Sequence, residues 1–300
     1  MRSKSFLSFL VLLLVFVLIA TGCGSQGAGE KKVVVASKPF TESYILAEIL
    51  AGMIEHNTDI KVERKMGIGG GTSNIQPAME NGEIDIYPEY SGTGWLFVLK
   101  KEGVLDNDTM MENLKQEYSA LYKIAWLDPY GFNDTFALAV KRSLADQLSL
   151  KTYTDLAAAS STLRFAAEYD FYEREDGYPG LVNTYGFAFK ETKDIDIGLK
   201  YEAIASDQVD VINVFSTDAL LLTHDLIVLE DDKNFFPPYY AATLIREETL
   251  ELYPELSDVL NKLVGVISND EMIEMNSAVD NDNKDPKVVA EEFLSAKGLI

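Results

Sequence analysis

Two short apolar runs, each ending on an aromatic ring, a serine and a turn, constrain this chain more than any other feature. The first is Gly82-Glu83-Ile84-Asp85-Ile86-Tyr87-Pro88-Glu89-Tyr90-Ser91-Gly92-Thr93-Gly94. Ile84 and Ile86 suit a buried strand, and Pro88 is expected to stop the ladder. Gly92 and Gly94 would let the backbone approach a ligand before an apolar helix opens at Trp95. The second run, Val209-Asp210-Val211-Ile212-Asn213-Val214-Phe215-Ser216-Thr217-Asp218, repeats the pattern at one constant spacing. Asp85, Ile86, Tyr90 and Ser91 fall on Asp210, Val211, Phe215 and Ser216. Short apolar strands share such residues readily, so chance is one reading of the match. The structural reading is two similar α/β lobes, each presenting one aromatic at a strand's carboxyl end, where open α/β sheets bind ligands.

A chain of 300 residues has room for two such lobes. Its formal net charge of −22 excludes nucleic acid as a partner, since nothing would neutralise the phosphates. The two histidines, His56 and His224, have no partner at ligand spacing, so no transition-metal site and no cofactor is expected. No G-x-S-x-G elbow occurs, and acid pairs such as Asp85 and Glu89 are too common in so acidic a chain to mark catalysis. Enzyme is the weaker class.

The first residues read as a targeting segment. Arg2 and Lys4 precede an apolar run over residues 6–20, which ends in Ala20-Thr21-Gly22-Cys23. That run is shorter than the ~20 residues a membrane span requires. The single cysteine has no partner for an internal disulfide, and the segment resembles a bacterial lipoprotein signal, whose cleavage leaves a lipidated cysteine. The expected division is a signal peptide over 1–22, lipidated Cys23 and a tether over 23–30, lobe I over 31–130, lobe II over 131–236, and a return segment with C-terminal helices over 237–300.

Along the folded part, residues 33–36 read as a buried strand, with Thr41 as N-cap of a helix over 42–56. Lys38 lies between them at a strand end. Gly67-Ile68-Gly69-Gly70-Gly71 follows another strand, but without the lysine of a phosphate loop it reads as a tight turn. Asp108 is expected to cap a helix. The Pro and Gly segment over 128–134 suits a first crossing between lobes, and Phe235-Phe236-Pro237-Pro238-Tyr239-Tyr240 suits the return. Arg174, alone among acids, reads either as a clamp for a carboxylate or as a surface partner of Glu173 or Asp176. The terminal helices are expected to pack on the first lobe.

These residues resemble the substrate-binding lipoproteins of osmoprotectant ABC importers, the glycine betaine, carnitine and choline type. The resemblance rests on Ser37-Lys38-Pro39-Phe40-Thr41-Glu42, residues 85–94, Glu173-Arg174-Glu175-Asp176-Gly177, Ser216-Thr217-Asp218 and Phe236-Pro237-Pro238-Tyr239. It implies a two-lobed, periplasmic-binding-protein-like (type II) α/β fold closing on a quaternary ammonium ligand. By motif, the aromatic box would be Tyr90, Tyr130, Phe215 and Tyr239, with Lys38, Thr93 and Arg174 near a ligand carboxylate. Phe215 stands where the family usually has tyrosine. The implied partners are an ABC permease and its separate ATPase, outside the cytoplasm, with a lipid anchor as the only membrane attachment. A trimethylammonium group has no N–H to donate, so ring faces hold its charge. A receptor for an amino acid or other polar solute, with Arg174 as clamp, is the competing reading.

Overall fold

The computed structural model describes residues 31–101, 103 and 106–300. Cys23 and the signal and tether segments lie outside them. The first sheet forms from β1 (Lys32–Ala36), β2 (Lys61–Lys65), β3 (Ile86–Tyr90) and β4 (Ile124–Trp126), joined by α1 (Thr41–Asn57), α2 (Thr72–Glu80) and α3 (Asn107–Tyr122). The chain then enters a second sheet with β5 (Phe136–Lys141), α4 (Arg142–Leu148) and α5 (Tyr153–Ala159). There follow β6 (Arg164–Ala167), α6 (Tyr169–Glu173), α7 (Tyr178–Tyr185), β7 (Glu191–Asp194), α8 (Lys200–Ala205), β8 (Val211–Phe215), α9 (Leu220–Thr223) and β9 (Leu226–Val228). It returns through β10 (Ala241–Arg246) and ends in α10 (Glu247–Leu252), α11 (Glu255–Leu260), α12 (Asn269–Asp280) and α13 (Pro286–Ala296).

Strand order is β2-β1-β3-β10-β4 in one sheet and β7-β6-β8-β5-β9 in the other. Each sheet thus has three parallel strands and then an antiparallel one, β10 or β5, that has just crossed over. The echo between the two apolar runs is structural. Asp85 and Asp210 each accept from a backbone N–H of the neighbouring parallel strand, Val34 and Arg164, at 2.8 Å. Ser91 and Ser216 each close the ladder to the crossing strand, their hydroxyls accepting from the N–H of Tyr240 and Thr135 at 3.0 and 2.9 Å. Tyr90 and Phe215 are the last residues of β3 and β8.

Ile45, Leu46, Ile49, Leu50, Met53 and Ile54 of α1 are all buried, each apolar side chain contributing about 1.5–3 kcal/mol. The C-terminal helices cover this face. Gly52 makes the approach possible: a Cβ there would lie 2.8 Å from Leu294 Cδ1 on α13.

Several local expectations are corrected. Phe40, not Thr41, occupies the N-cap of α1, without a side-chain bond, while the Thr41 hydroxyl donates to Asp280. Asp106 rather than Asp108 caps α3, accepting from Thr109 N. Pro88 sits inside β3 opposite Thr243. Its missing N–H removes little there, because β1 pairs with β3 at Ile86 alone. Gly92 and Gly94 face the interior: a Cβ on Gly92 would lie 2.6 Å from the Tyr239 ring, and one on Gly94 2.5 Å from Trp126.

Candidate functional site

The carboxyl ends of β3 and β8, the turn after β1 and the crossing into β5 converge on one cavity of about 410 Å³. Its walls include Phe40, Tyr90, Phe136, Phe215 and Tyr239. Phe40 stacks on Phe215 with centroids 5.3 Å apart and lies 6.4 Å from Tyr90, joining rings from both sheets. Phe136 lies 5.1 Å from Phe215 and meets Tyr239 edge-on at 5.3 Å. Offset-stacked and edge-to-face geometries of this kind are the preferred arrangements of aromatic pairs and hold the rings in place.

Hydrogen bonds fix the two tyrosines. The Tyr90 hydroxyl donates to Glu42 at 2.6 Å, and the Tyr239 hydroxyl donates to Asp176 Oδ2 at 2.6 Å. Burial and these neighbouring carboxylates push both phenols well above their ordinary range, so both rings remain neutral.

The two cations of the cavity each face a buried acid. Lys38 Nζ lies 2.5 Å from Glu89 Oε1 and 5.0 Å from the Tyr90 ring centroid. Glu89 in turn accepts from the Thr72 and Tyr87 hydroxyls at 2.8 and 2.9 Å and from Tyr90 N. Arg174 donates through Nε and Nη2 to Asp176 at 2.9 and 2.5 Å, and through Nη2 to Thr93 Oγ1 at 3.1 Å. Its guanidinium carbon lies 5.0 Å from the Phe136 centroid and 5.9 Å from that of Tyr239. Burial by itself would lower the Arg174 pKa, but Asp176 outweighs it and holds the group charged. Of the two readings of Arg174, the Asp176 pair is present, but it is buried rather than superficial.

The structure therefore brings together Lys38, Tyr90, Thr93, Arg174, Phe215 and Tyr239. Tyr130 is the correction. It lies in the core outside this cavity, its hydroxyl 2.8 Å from Thr243 Oγ1 and its ring stacked on Phe132. The aromatic beside Phe215 is Phe136, which pairs with it directly across β5 and β8.

Sequence reasoning also missed Phe40 and five acids of the lining, Asp134, Glu168, Asp170, Asp194 and Asp196. Burial first, then the charges of Glu42 and Asp218, raise Asp134 well above the usual carboxylate range. Glu168 accepts from Asn213 Nδ2 at 2.9 Å. Asp170 bonds the Ser73 hydroxyl at 2.7 Å, across from α6 to the first turn of α2. Gly67, Gly69, Gly70 and Gly71 are a turn, as their residue types suggest, but they also form part of the cavity wall. The only signal for Phe136 and Asp134 was their place at the crossing into β5. Behind Phe215, on the protein side, Lys200 Nζ lies 4.3 Å from the ring centroid and 3.7 Å from Asp218. Among the described residues no group of acids, histidines or cysteines has the arrangement of a metal site.

Residues 31–296 match the family described as the substrate-binding domain of ABC-type glycine betaine transport systems (OpuAC). The chain is 42% identical over 270 residues to an ergothioneine transport permease/ergothioneine binding protein of Helicobacter pylori (strain G27), covering 90% of this chain. It spans about half of that relative, 48% of its length. It is 36% identical to a carnitine transport binding protein of Listeria monocytogenes serotype 1/2a, covering 98% of this chain and 97% of that one. A crystal structure of a glycine betaine/carnitine/choline ABC transporter protein superposes with a TM-score of 0.68 at 34% identity, over 89% of this chain and 99% of the other.

Proposed function

The chain belongs to the family of substrate-binding domains of ABC-type glycine betaine transport systems, and we propose that it captures a quaternary ammonium solute in the aromatic cavity between its two sheets. The observation that carries this reading is the convergence of Phe40, Tyr90, Phe136, Phe215 and Tyr239 on one cavity whose two cations are already paired with acids. Each ring face offered to a desolvated trimethylammonium group contributes ~0.5–2 kcal/mol. Carboxyl oxygens of Glu168 and Asp170 in the lining favour a cationic ligand over an anionic one.

Arg174 gives Nε and Nη2 to Asp176, leaving Nη1 for the carboxylate of a betaine. Thr93 holds the same guanidinium, and Lys38 stands at the opposite ring, Tyr90. With part of its fork engaged, Arg174 suits a carboxylate appended to a cation better than it suits the clamp of a general amino-acid receptor. The candidate ligands are glycine betaine, choline, carnitine and bulkier betaines such as ergothioneine.

The halves on either side of the crossings near residues 130 and 236 act as lobes, I and II, that close on the ligand. Rings, Arg174 and Thr217 reach across from one to the other, so a bound cation favours the closed form. Delivery is to an ABC permease served by a separate ATPase, outside the cytoplasm. Lipidation of Cys23 tethers the folded part to the membrane surface; no described helix is long and apolar enough to cross it.

Calorimetry against glycine betaine, choline, carnitine and ergothioneine tests the reading. Binding of at least one with Kd below about 1 mM, near −4 kcal/mol, is expected. Absence of binding across the panel would overturn it.

A further inference from the structure

Beneath the aromatic wall runs a seam of acids that ligand contact alone does not explain. Glu42, on α1, accepts from the Tyr90 hydroxyl at 2.6 Å through Oε1, and its Oε2 lies 2.6 Å from Thr217 Oγ1. The same hydroxyl lies 2.8 Å from Asp134 Oδ1. Asn276 of α12 donates to both Glu42 and the Thr217 carbonyl. Glu42, Asp134, Thr217 and Asn276 are all buried, at 1–4% exposure.

A threonine hydroxyl carries one proton and can donate to only one of two carboxyl oxygens. Two short contacts to unprotonated carboxylates would leave one pair of oxygens facing each other without a hydrogen, a costly arrangement in a buried site. The arrangement is satisfied when one carboxyl donates to Thr217 Oγ1 and Thr217 donates to the other. The seam joins both halves, since Glu42 follows β1 and Thr217 follows β8, with Asp134 in the crossing between them.

We infer that Glu42 and Asp134 share a single proton through Thr217 in the closed protein, and that closure over a ligand takes this proton up. The inference rests on the proposed reading that the two halves close on the ligand. The charges facing the seam support it. Asp218 accepts from the Tyr201 hydroxyl and Phe215 N, with Lys200 3.7 Å away; Asp280 lies on α12, bonded to Thr41; and beyond Tyr90 the Lys38–Glu89 pair is self-balanced. Four carboxyls, Glu42, Asp134, Asp218 and Asp280, thus face one nearby cation, Lys200.

Burial, with Asp218 adding to it, raises Glu42 to about 7. Because the group's pKa is raised in the closed form and ordinary once exposed, closure is favoured by this proton at mildly acid pH. The advantage is lost as pH rises. The shared proton belongs to the Glu42–Asp134 pair, so wherever closure takes up a whole proton affinity falls about tenfold per pH unit.

The experiment is calorimetry with carnitine and glycine betaine from pH 5.5 to 8.5, in buffers of different ionisation enthalpy. Wild-type protein is expected to take up a fraction of a proton per ligand bound near pH 7 and to lose affinity as pH rises, and E42Q is expected to show a flattened profile. Binding with no proton uptake and no pH dependence overturns the inference while leaving the ligand reading intact. Infrared difference spectra, liganded minus ligand-free, give a second readout: a protonated-carboxyl band that grows on binding at pH 6 and is lost in both E42Q and D134N upholds the inference, and a wild-type difference spectrum without that band overturns it. If neither ligand binds at any pH, the reading of closure over these ligands fails and the inference falls with it.

Discussion

Replacing Phe215 with leucine separates the charge-dependent part of binding from simple filling of space. Phe215 is 8% exposed and sits between the rings of Phe40 and Phe136, with Lys200 Nζ 4.3 Å from its centroid. Leucine keeps much of the apolar bulk but removes two ring pairs, worth about 0.5–1.5 kcal/mol each. It also removes the nearer of the two ring faces beside Lys200, leaving that buried ammonium with Asp218 at 3.7 Å and the Tyr201 ring at 5.7 Å. Ligand-free stability should therefore fall by roughly 1.5–5 kcal/mol, so a changed melting temperature cannot by itself exclude a role in binding. The discriminating measurement compares a trimethylammonium ligand with its neutral tert-butyl isostere, on both proteins, well below their melting temperatures. Loss of the π face should weaken the cation by ~0.5–2 kcal/mol beyond whatever the isostere loses. Equal losses for the two ligands would mean that Phe215 supplies shape only, and the cation–π reasoning at this ring would be wrong.

Arg174→Lys keeps the charge but loses the fork that holds Asp176 and Thr93 together. It should weaken betaines more than choline by about 1.5–3 kcal/mol, and equal weakening by calorimetry would assign Arg174 a purely structural role. Ser73→Ala removes the bond to Asp170 that ties α2 to α6. A loss of about 1 kcal/mol from the closed form should speed ligand release roughly fivefold in stopped-flow traces, and an unchanged off-rate would show that this contact does not hold the closed form. Cys23→Ala should abolish fatty-acid labelling while leaving binding intact; labelling that persists would refute the anchor.

How much of the site could be read from the chain depended on how local its causes are. Strands β1, β3 and β8 and helix α1 were legible because residue alternation, β-branching and the helical stripe act within a few residues. The spacing shared by Asp85–Ser91 and Asp210–Ser216 was legible for the same reason, since each segment makes the same backbone bonds to its own sheet. Lys38, Tyr90, Thr93, Arg174, Phe215 and Tyr239 were named from motifs and lie on one cavity.

What the chain did not disclose is which side chains meet across crossings. Tyr130 and Phe136 are both aromatics within a few residues of the same crossing, and only the register of β5 against β8 puts Phe136 opposite Phe215 while Tyr130 turns to Thr243. Gly92 owes its place to the Tyr239 ring, more than a hundred residues away in sequence, and the Thr217 hydroxyl meets Glu42 and Asp134 only once both sheets are assembled. Periodicity and capping are written into neighbouring residues. Contacts between distant segments depend on strand order and on how two sheets approach, which are properties of the whole packed chain.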